Sequence, residues 1–300
     1  MNEITREKID SLKRGHVTGE LTEGCLVLEG GAFRGLYTAG VLDVFLENGI
    51  LIRDVIGVSA GALNGLTYSA GLLGAAARGN LIYREDSRYV GFKALLKNRG
   101  LFGFDYMFKV QQENEGFSFD LIDDDRKFIA TVTNVDTGRP EYMDINKVSK
   151  VEDKFRIIQA SASMPLVSAM VRINGSRYLD GGCSKKVPIQ QALEMSEKTV
   201  VIRTRDRSFR LHHNEDRIVN RVFRKYPNFL ESQNNINKVY NDDCELMEKL
   251  HEEKRIYMLN PSVPINIARL ESDTDVLFGV YELGRRDALS HLEEIKEYLK

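Results

Sequence analysis

Apolar positions along the first third of the chain follow a pattern that occurs twice. Residues 25–31 (CLVLEGG) form a compact apolar run closed by glycines, which predicts a buried strand. Leu36, Ala39, Leu42, Phe45 and Leu46 then recur at helical spacing, and Gly49 stands where a helix C-cap is expected. Residues 54–61 (DVIGVSAG) repeat the order: apolar run, glycine turn, then the helix-like ALNGLTYSAGLL. Two successive strand–turn–helix units favour a parallel sheet with helices on its faces. Further on, 127–136 predicts a central strand and 154–165 a helix stopped at Pro165. Residues 170–182 predict a hairpin turning at Asn174-Gly175, and 199–205 another strand. Beyond about residue 206 charge rises and the pattern turns helical, with a short strand at 255–261 and two terminal helices. The expected organisation is an arm over 1–21, an α/β domain over 22–205 and a mainly helical extension over 206–300.

Residues 55–77 carry no charge and are long enough to span a bilayer. They also hold five glycines along with Ser59, Asn64, Thr67, Tyr68 and Ser69, and few large apolar residues. A buried strand–turn–helix is the better reading.

Composition narrows the function classes. Lys and Arg number 42 against 44 Asp and Glu, for a net charge of -2. That balance argues against a globally basic nucleic-acid binder, so no nucleic-acid partner is expected. Cys25, Cys183 and Cys244 are far apart and form no C-x-x-C pair, so neither a disulfide framework nor a metal site is indicated. The N-terminus lacks the apolar stretch of a signal peptide. A reducing, cytoplasmic setting is expected. Of 24 glycines, 17 lie at or before Gly103, which directs attention to tight turns in that part of the chain.

Three of those features carry chemistry. Gly57-Val58-Ser59-Ala60-Gly61 is G-x-S-x-G between a predicted strand and a predicted helix, the setting in which a serine stands exposed on a sharp turn. Gly57 and Gly61 remove side chains that would collide across the turn, and the helix end offers unpaired N–H groups to an oxyanion. Gly30-Gly31-Ala32-Phe33-Arg34-Gly35 also joins a strand to a helix, and its glycines let backbone N–H groups point into one concavity. Beside a nucleophile it reads as an oxyanion hole; alone it would read as a phosphate loop, although neither G-x-G-x-x-G nor G-x-x-x-x-G-K-[ST] is present. Arg34 either stabilises negative charge or ion-pairs on a helix surface. Asp180, followed by Gly181 and Gly182, would accept a serine proton if brought within reach, or would simply make an Asp-Gly turn. A histidine base would have to be His212, His213, His251 or His291, all in the charged C-terminal part.

GGAFRG, then GVSAG with Ser59 28 positions after Gly31, then DGG downstream, resembles the patatin-like phospholipase family. ASASMP (160–165) resembles a further block of that family, and the likeness covers about 22–205. The resemblance implies a three-layer α/β/α fold with a central, mostly parallel sheet and a Ser–Asp dyad without histidine or cofactor. Ser59 would be the nucleophile and Asp180 the general base, with the amides around Gly31, Ala32 and Phe33 as the oxyanion hole. Ala32 stands where many members carry a third glycine, so a φ above zero there would strain it. The implied function is a serine lipid acyl hydrolase of the phospholipase A, lysophospholipase or esterase type, acting on a lipid or acyl-ester substrate. The competing readings are a histidine-triad esterase and a non-catalytic glycine-loop nucleotide-binding protein.

Two surfaces bear on the substrate. Residues 83–119 hold 9 of the 26 aromatic residues, including Tyr89, Phe92, Phe102, Phe104, Tyr106 and Phe108. They read as a lid or groove wall for an acyl chain, or as ordinary core of an insertion. Residues 203–225 hold eight Arg and Lys against three acids, which suits anionic headgroups in a peripheral membrane contact or a solvated helix face.

Overall fold

The strands are apolar on both faces because helices cover both. The computed structural model describes residues 1–91, 93–94, 100–212 and 216–300. Its strands are β1 (Gly15–His16), β2 (Thr22–Leu28), β3 (Ile52–Val58), β4 (Leu72–Leu73), β5 (Lys127–Asn134), β6 (Pro140–Asp144), β7 (Val171–Ile173), β8 (Ser176–Asp180), β9 (Thr199–Ile202) and β10 (Tyr257–Leu259). The main sheet runs β10-β9-β2-β3-β5-β8-β7, with β6 also paired to β5. The five strands from β10 to β5 are mutually parallel, while β6, β7 and β8 pair antiparallel.

Alternate residues enter opposite cores, as the period of two requires. Leu26, Leu28, Val55, Phe128, Val200 and Ile202 face one core with the helices Gly35–Glu47, Ala60–Ser69 and Thr274–Ser290. Cys25, Val27, Ile56, Ile129, Val201 and Met258 face the other, against the helices Ile189–Met195 and Pro227–Glu252. The result is the expected three-layer α/β/α arrangement around a mostly parallel sheet. Each of these fully buried aliphatic side chains is worth about 1.5–3 kcal/mol of transfer free energy.

The hairpin forms as read: β7 and β8 turn through Asn174 and Gly175, both at positive φ (48° and 84°). Residues 55–77 become β3, the helix Ala60–Ser69 and β4. No helix among the described residues is long and apolar enough to cross a membrane. The helix expected over 154–165 runs instead from Val151 to Ser161. Past its end the Ser163 hydroxyl donates to the Gln159 carbonyl, and the Ser163 carbonyl turns away to accept the Asp180 amide. Residues 206–300 contribute more than helices. β10 extends the sheet beside β9, and the helix Thr274–Ser290 lies across the helix Gly35–Glu47.

Candidate active site

β5 brings the serine and the aspartate together. β6 occupies one edge of β5 from Ile129 to Thr133. The other edge pairs first with β3, up to Val58 opposite Thr131, and then with β8, which ends at Asp180 opposite Val132. Two strands of opposite direction therefore finish head to head on neighbouring residues of a third. Ser59 leaves one end and Asp180 leaves the other.

Ser59 is almost fully buried and adopts φ 56°, ψ -123°, a conformation few non-glycine residues hold. The surrounding contacts enforce it. The Ser59 amide donates to the Ser161 hydroxyl at 3.0 Å, and that hydroxyl donates to the Thr131 carbonyl at 2.7 Å. A side chain at Gly57 would meet the Gly61 backbone at 2.6 Å, and one at Gly61 would run into the Leu28 carbonyl. Ser59 also starts the helix Ala60–Ser69, whose amino end presents positive potential to a developing negative charge.

Asp180 is 5% exposed. Its carboxylate accepts the Gly182 amide at 2.7 Å, and its carbonyl accepts the Thr133 hydroxyl at 2.8 Å. Burial pushes its carboxyl above the ordinary aspartate value, while the neighbouring Ser59 hydroxyl, the Gly182 amide and Lys186 pull the other way.

The glycine loop lies across the elbow. A side chain at Gly30 would meet the Ser59 Cβ at 3.0 Å, and one at Gly35 the Ala60 Cβ at 2.8 Å. The Asn64 side chain ties the two turns together by donating to the Gly35 carbonyl at 2.7 Å. Ala32 sits at φ 49°, the left-handed region in which its side chain is strained. Among the described residues the Gly31 amide has no backbone acceptor.

The loop is anchored by residues that sequence reasoning missed. Glu29, 3% exposed, accepts the Thr204 amide at 2.6 Å and the Tyr240 hydroxyl at 2.7 Å. Thr204 donates its hydroxyl to the Gly30 carbonyl at 2.9 Å, and the buried Arg203 donates to the Tyr240 hydroxyl at 2.9 Å. Arg84 stacks over the Phe33 ring at 4.7 Å and donates to the carbonyls of Glu271 and Leu270. No motif marks these positions; only the alternation of buried and paired residues in the folded chain reveals them.

Ser59 stands between two cavities. One is apolar and is walled by Phe33, Leu36, Leu63, Tyr89, Phe102, Phe104, Met107 and Met164. Phe108 packs behind this wall on Phe104 and Phe155, and the Tyr106 hydroxyl donates to Asp86. Phe92 lies outside the described residues, as does His213. The second cavity is polar and contains Gly30, Gly31, Arg34, Asp180, Gly182, Lys186, Thr204, Arg205, Tyr240 and Arg269. None of His16, His212, His251 and His291 lines either one. No group of metal-binding side chains occurs among the described residues.

A family model described as patatin-like phospholipase matches residues 26–193, and another, a domain of unknown function (DUF6363), matches 226–300. The chain is 26% identical over 275 residues to the uncharacterized protein YjjU of Escherichia coli strain K12, covering 87% of this chain and 74% of that protein. Lysophospholipase nte1 of Aspergillus terreus is 30% identical over 174 residues, 52% of this chain and 10% of its own length. Among solved structures, VipD from Legionella pneumophila is similar at a TM-score of 0.44 and 12% identity, over 94% of this chain and 70% of that one. The first family model spans more than half of the sequence, and the chain belongs to the patatin-like phospholipase family.

Proposed function

We propose that the protein is a serine lipid acyl hydrolase working through Ser59 and Asp180. The observation that carries this reading is the meeting of β3 and β8 on one edge of β5, which sets the buried carboxylate beside the serine elbow. Ser59 Oγ attacks the ester carbonyl carbon while Asp180 takes its proton. The amides of Gly31 and Ala32 and the amino end of the helix Ala60–Ser69 receive the oxyanion. Asp180 returns the proton to the leaving alcohol as the tetrahedral intermediate collapses. Water, deprotonated by Asp180, then attacks the acyl-serine and frees the fatty acid. A carboxyl raised by burial is better matched to this proton traffic than an exposed aspartate.

The apolar cavity is the acyl site. Tyr89, Phe102, Phe104 and Met107 wall it, and Phe33 links that wall to the oxyanion loop through its contact with Phe102. The name of the fungal relative, a lysophospholipase, supports a lipid ester as substrate.

The test is hydrolysis of a p-nitrophenyl acyl ester by the purified chain. Ser59→Ala should lose more than about a thousandfold in kcat/KM and should no longer react with a fluorophosphonate probe. Full activity in Ser59→Ala would overturn the assignment.

A further inference from the structure

The two cavities at Ser59 divide the substrate. Asp180 must hand its proton to the leaving alcohol, and it lines the polar cavity only. On the dyad reading, the alcohol half of the ester therefore occupies the polar side. That side is cationic. Arg34, Lys186, Arg205 and Arg269 line it, against two carboxylates, Glu29 and Asp180. Both carboxylates already have partners: Glu29 holds Thr204 and Tyr240, with Arg203 behind, and Asp180 holds Gly182. Among the described residues none of the four cations has a carboxylate within ion-pair distance, although 21 ion pairs occur elsewhere.

The three guanidiniums come from distant parts of the chain and converge. Arg34 belongs to the oxyanion loop, Arg205 follows β9, and Arg269 lies in the segment after β10 that Arg84 clamps by the carbonyls of Leu270 and Glu271. The Arg34 Nε is buried without a hydrogen-bond partner. Burial and the like charge of Arg205 draw the Arg34 guanidinium down to about 10, with Glu29 opposing them and Arg269 adding a weaker pull downward. Arg205 is stacked on the Phe209 ring at 4.1 Å, which fixes its plane. The half-buried Arg34 feels the like charge of the half-buried Arg205 and of the exposed Arg269, and an anion bound between them relieves that repulsion. A phosphate fits the requirement, since its peripheral oxygens accept forked N–H pairs from several guanidiniums at once.

We propose that Arg34, Arg205 and Arg269 form an anion subsite that grips a phosphate group on the leaving alcohol of the ester. The segment after residue 206 thereby supplies part of the substrate site, through Arg269 at the rim and Tyr240 in the wall. The preferred substrates are acyl esters of a phosphorylated alcohol rather than neutral glycerides. This inference rests on the dyad reading for its direction.

The experiment compares 1-acylglycerol 3-phosphate with 1-acylglycerol of the same chain length, both as monomers, on the full chain. The wild type should favour the phosphorylated ester by at least about tenfold in kcat/KM. Arg269→Gln and Arg205→Gln should each lower that ratio by about tenfold, Arg269→Lys should restore part of it, and Arg172→Gln on the exposed hairpin should leave it unchanged. An unaltered ratio in both glutamine variants overturns the subsite. Calorimetry with glycerol 3-phosphate and with inorganic phosphate, on Ser59→Ala, separates the sources. Tighter binding of glycerol 3-phosphate, lost in Arg269→Gln, supports a site for the alcohol half. Equal binding of both, with no preference between the esters, assigns the site to free phosphate and overturns the proposal. If the wild type hydrolyses neither ester the dyad reading fails, and the calorimetric loss in Arg269→Gln still reports on the subsite alone.

Discussion

Tyr240→Phe isolates the link between the C-terminal part of the chain and the oxyanion loop. The Tyr240 hydroxyl donates to Glu29 Oε1 at 2.7 Å and accepts from Arg203 at 2.9 Å. Both partners are buried and both carry charge. Burial works against the Arg203 charge, but Glu29 and Tyr240 outweigh it and hold the guanidinium above its ordinary value. Two further nitrogens of Arg203, Nε and Nη1, have no partner, and besides the Tyr240 hydroxyl its Nη2 reaches the Cys244 sulfur at 3.3 Å. Hydrogen bonds to charged groups are worth about 1.5–3 kcal/mol each, and a connected pair does not add fully. Phenylalanine fills nearly the same volume, so no cavity term enters. The expected cost is about 2–4 kcal/mol, a large share of a typical folding free energy. Urea unfolding followed by far-ultraviolet circular dichroism measures it. Glu29 also holds Thr204, and Thr204 holds Gly30, so kcat on an acyl ester should fall by about tenfold as the loop loosens. In a double-mutant cycle with Glu29→Gln the two changes should couple by about 1 kcal/mol or more. A variant within about 0.5 kcal/mol of wild type with unchanged kcat would show that the network does not hold the loop.

Ala32→Gly removes a left-handed alanine costing about 1–2 kcal/mol and adds about 0.4–1 kcal/mol of unfolded-state entropy, so the urea midpoint should rise modestly; a fall would show that the loop is unstrained. Because burial raises the Asp180 carboxyl and the base must be ionised, kcat/KM should fall with decreasing pH through a pKa above the ordinary aspartate range, and a limb at the ordinary value would contradict the burial argument. The ionised Asp180 costs the fold stability once pH rises through its raised value, so Asp180→Asn should melt higher than wild type near neutral pH, with the gain vanishing below about pH 4. Phe102→Ala enlarges the apolar cavity and should shift kcat/KM towards bulkier acyl chains; a lowered melting temperature with an unchanged chain-length profile would make Phe102 simply core.

Much of the layered architecture was legible because its signals are local. The two strand–turn–helix units announce themselves through period-two and helical runs separated by glycines, and Asn174-Gly175 marks its hairpin by the need for positive φ. The Ser59 turn was legible for the same reason, since Gly57 and Gly61 are the only residue types that clear the backbone there. What stayed hidden depends on partners far away in sequence. Glu29 and Tyr240 are 211 positions apart, and neither has a neighbourhood that distinguishes it from an ordinary polar or aromatic residue. The basic run 203–225 looked uniform, yet Arg203 is wholly buried, Arg205 faces the polar cavity, and Arg217–Val222 is a surface helix exposing Ile218. Among the aromatic candidates, Phe102 and Phe104 reach the cavity, whereas the Tyr106 hydroxyl goes to Asp86 and Phe108, one turn beyond Phe104 on the same helix face, packs on Phe155 behind the wall.

The placement of Ser59 beside Asp180 is set by sheet register and held by the segment that follows the helix Val151–Ser161. Asp180 closes β8 opposite Val132, one residue beyond the point where β3 ends opposite Thr131. A slip of β8 by one residue would carry the aspartate to the other face of the sheet and away from Ser59. Three contacts oppose that slip: the Asp180 amide on the Ser163 carbonyl, the Thr133 hydroxyl on the Asp180 carbonyl, and the close passage of Gly181 over the Thr131 carbonyl, which leaves no room for a side chain. Ser161 and Ser163 thus act at the two ends of the same joint, one holding the Ser59 amide and the other the Asp180 amide. The segment that connects the helix Val151–Ser161 to the hairpin fixes Ser59 and Asp180 relative to each other. The short block at 160–165 therefore has a physical reason to accompany the serine and aspartate motifs: it is the clamp that keeps two oppositely directed strands end to end.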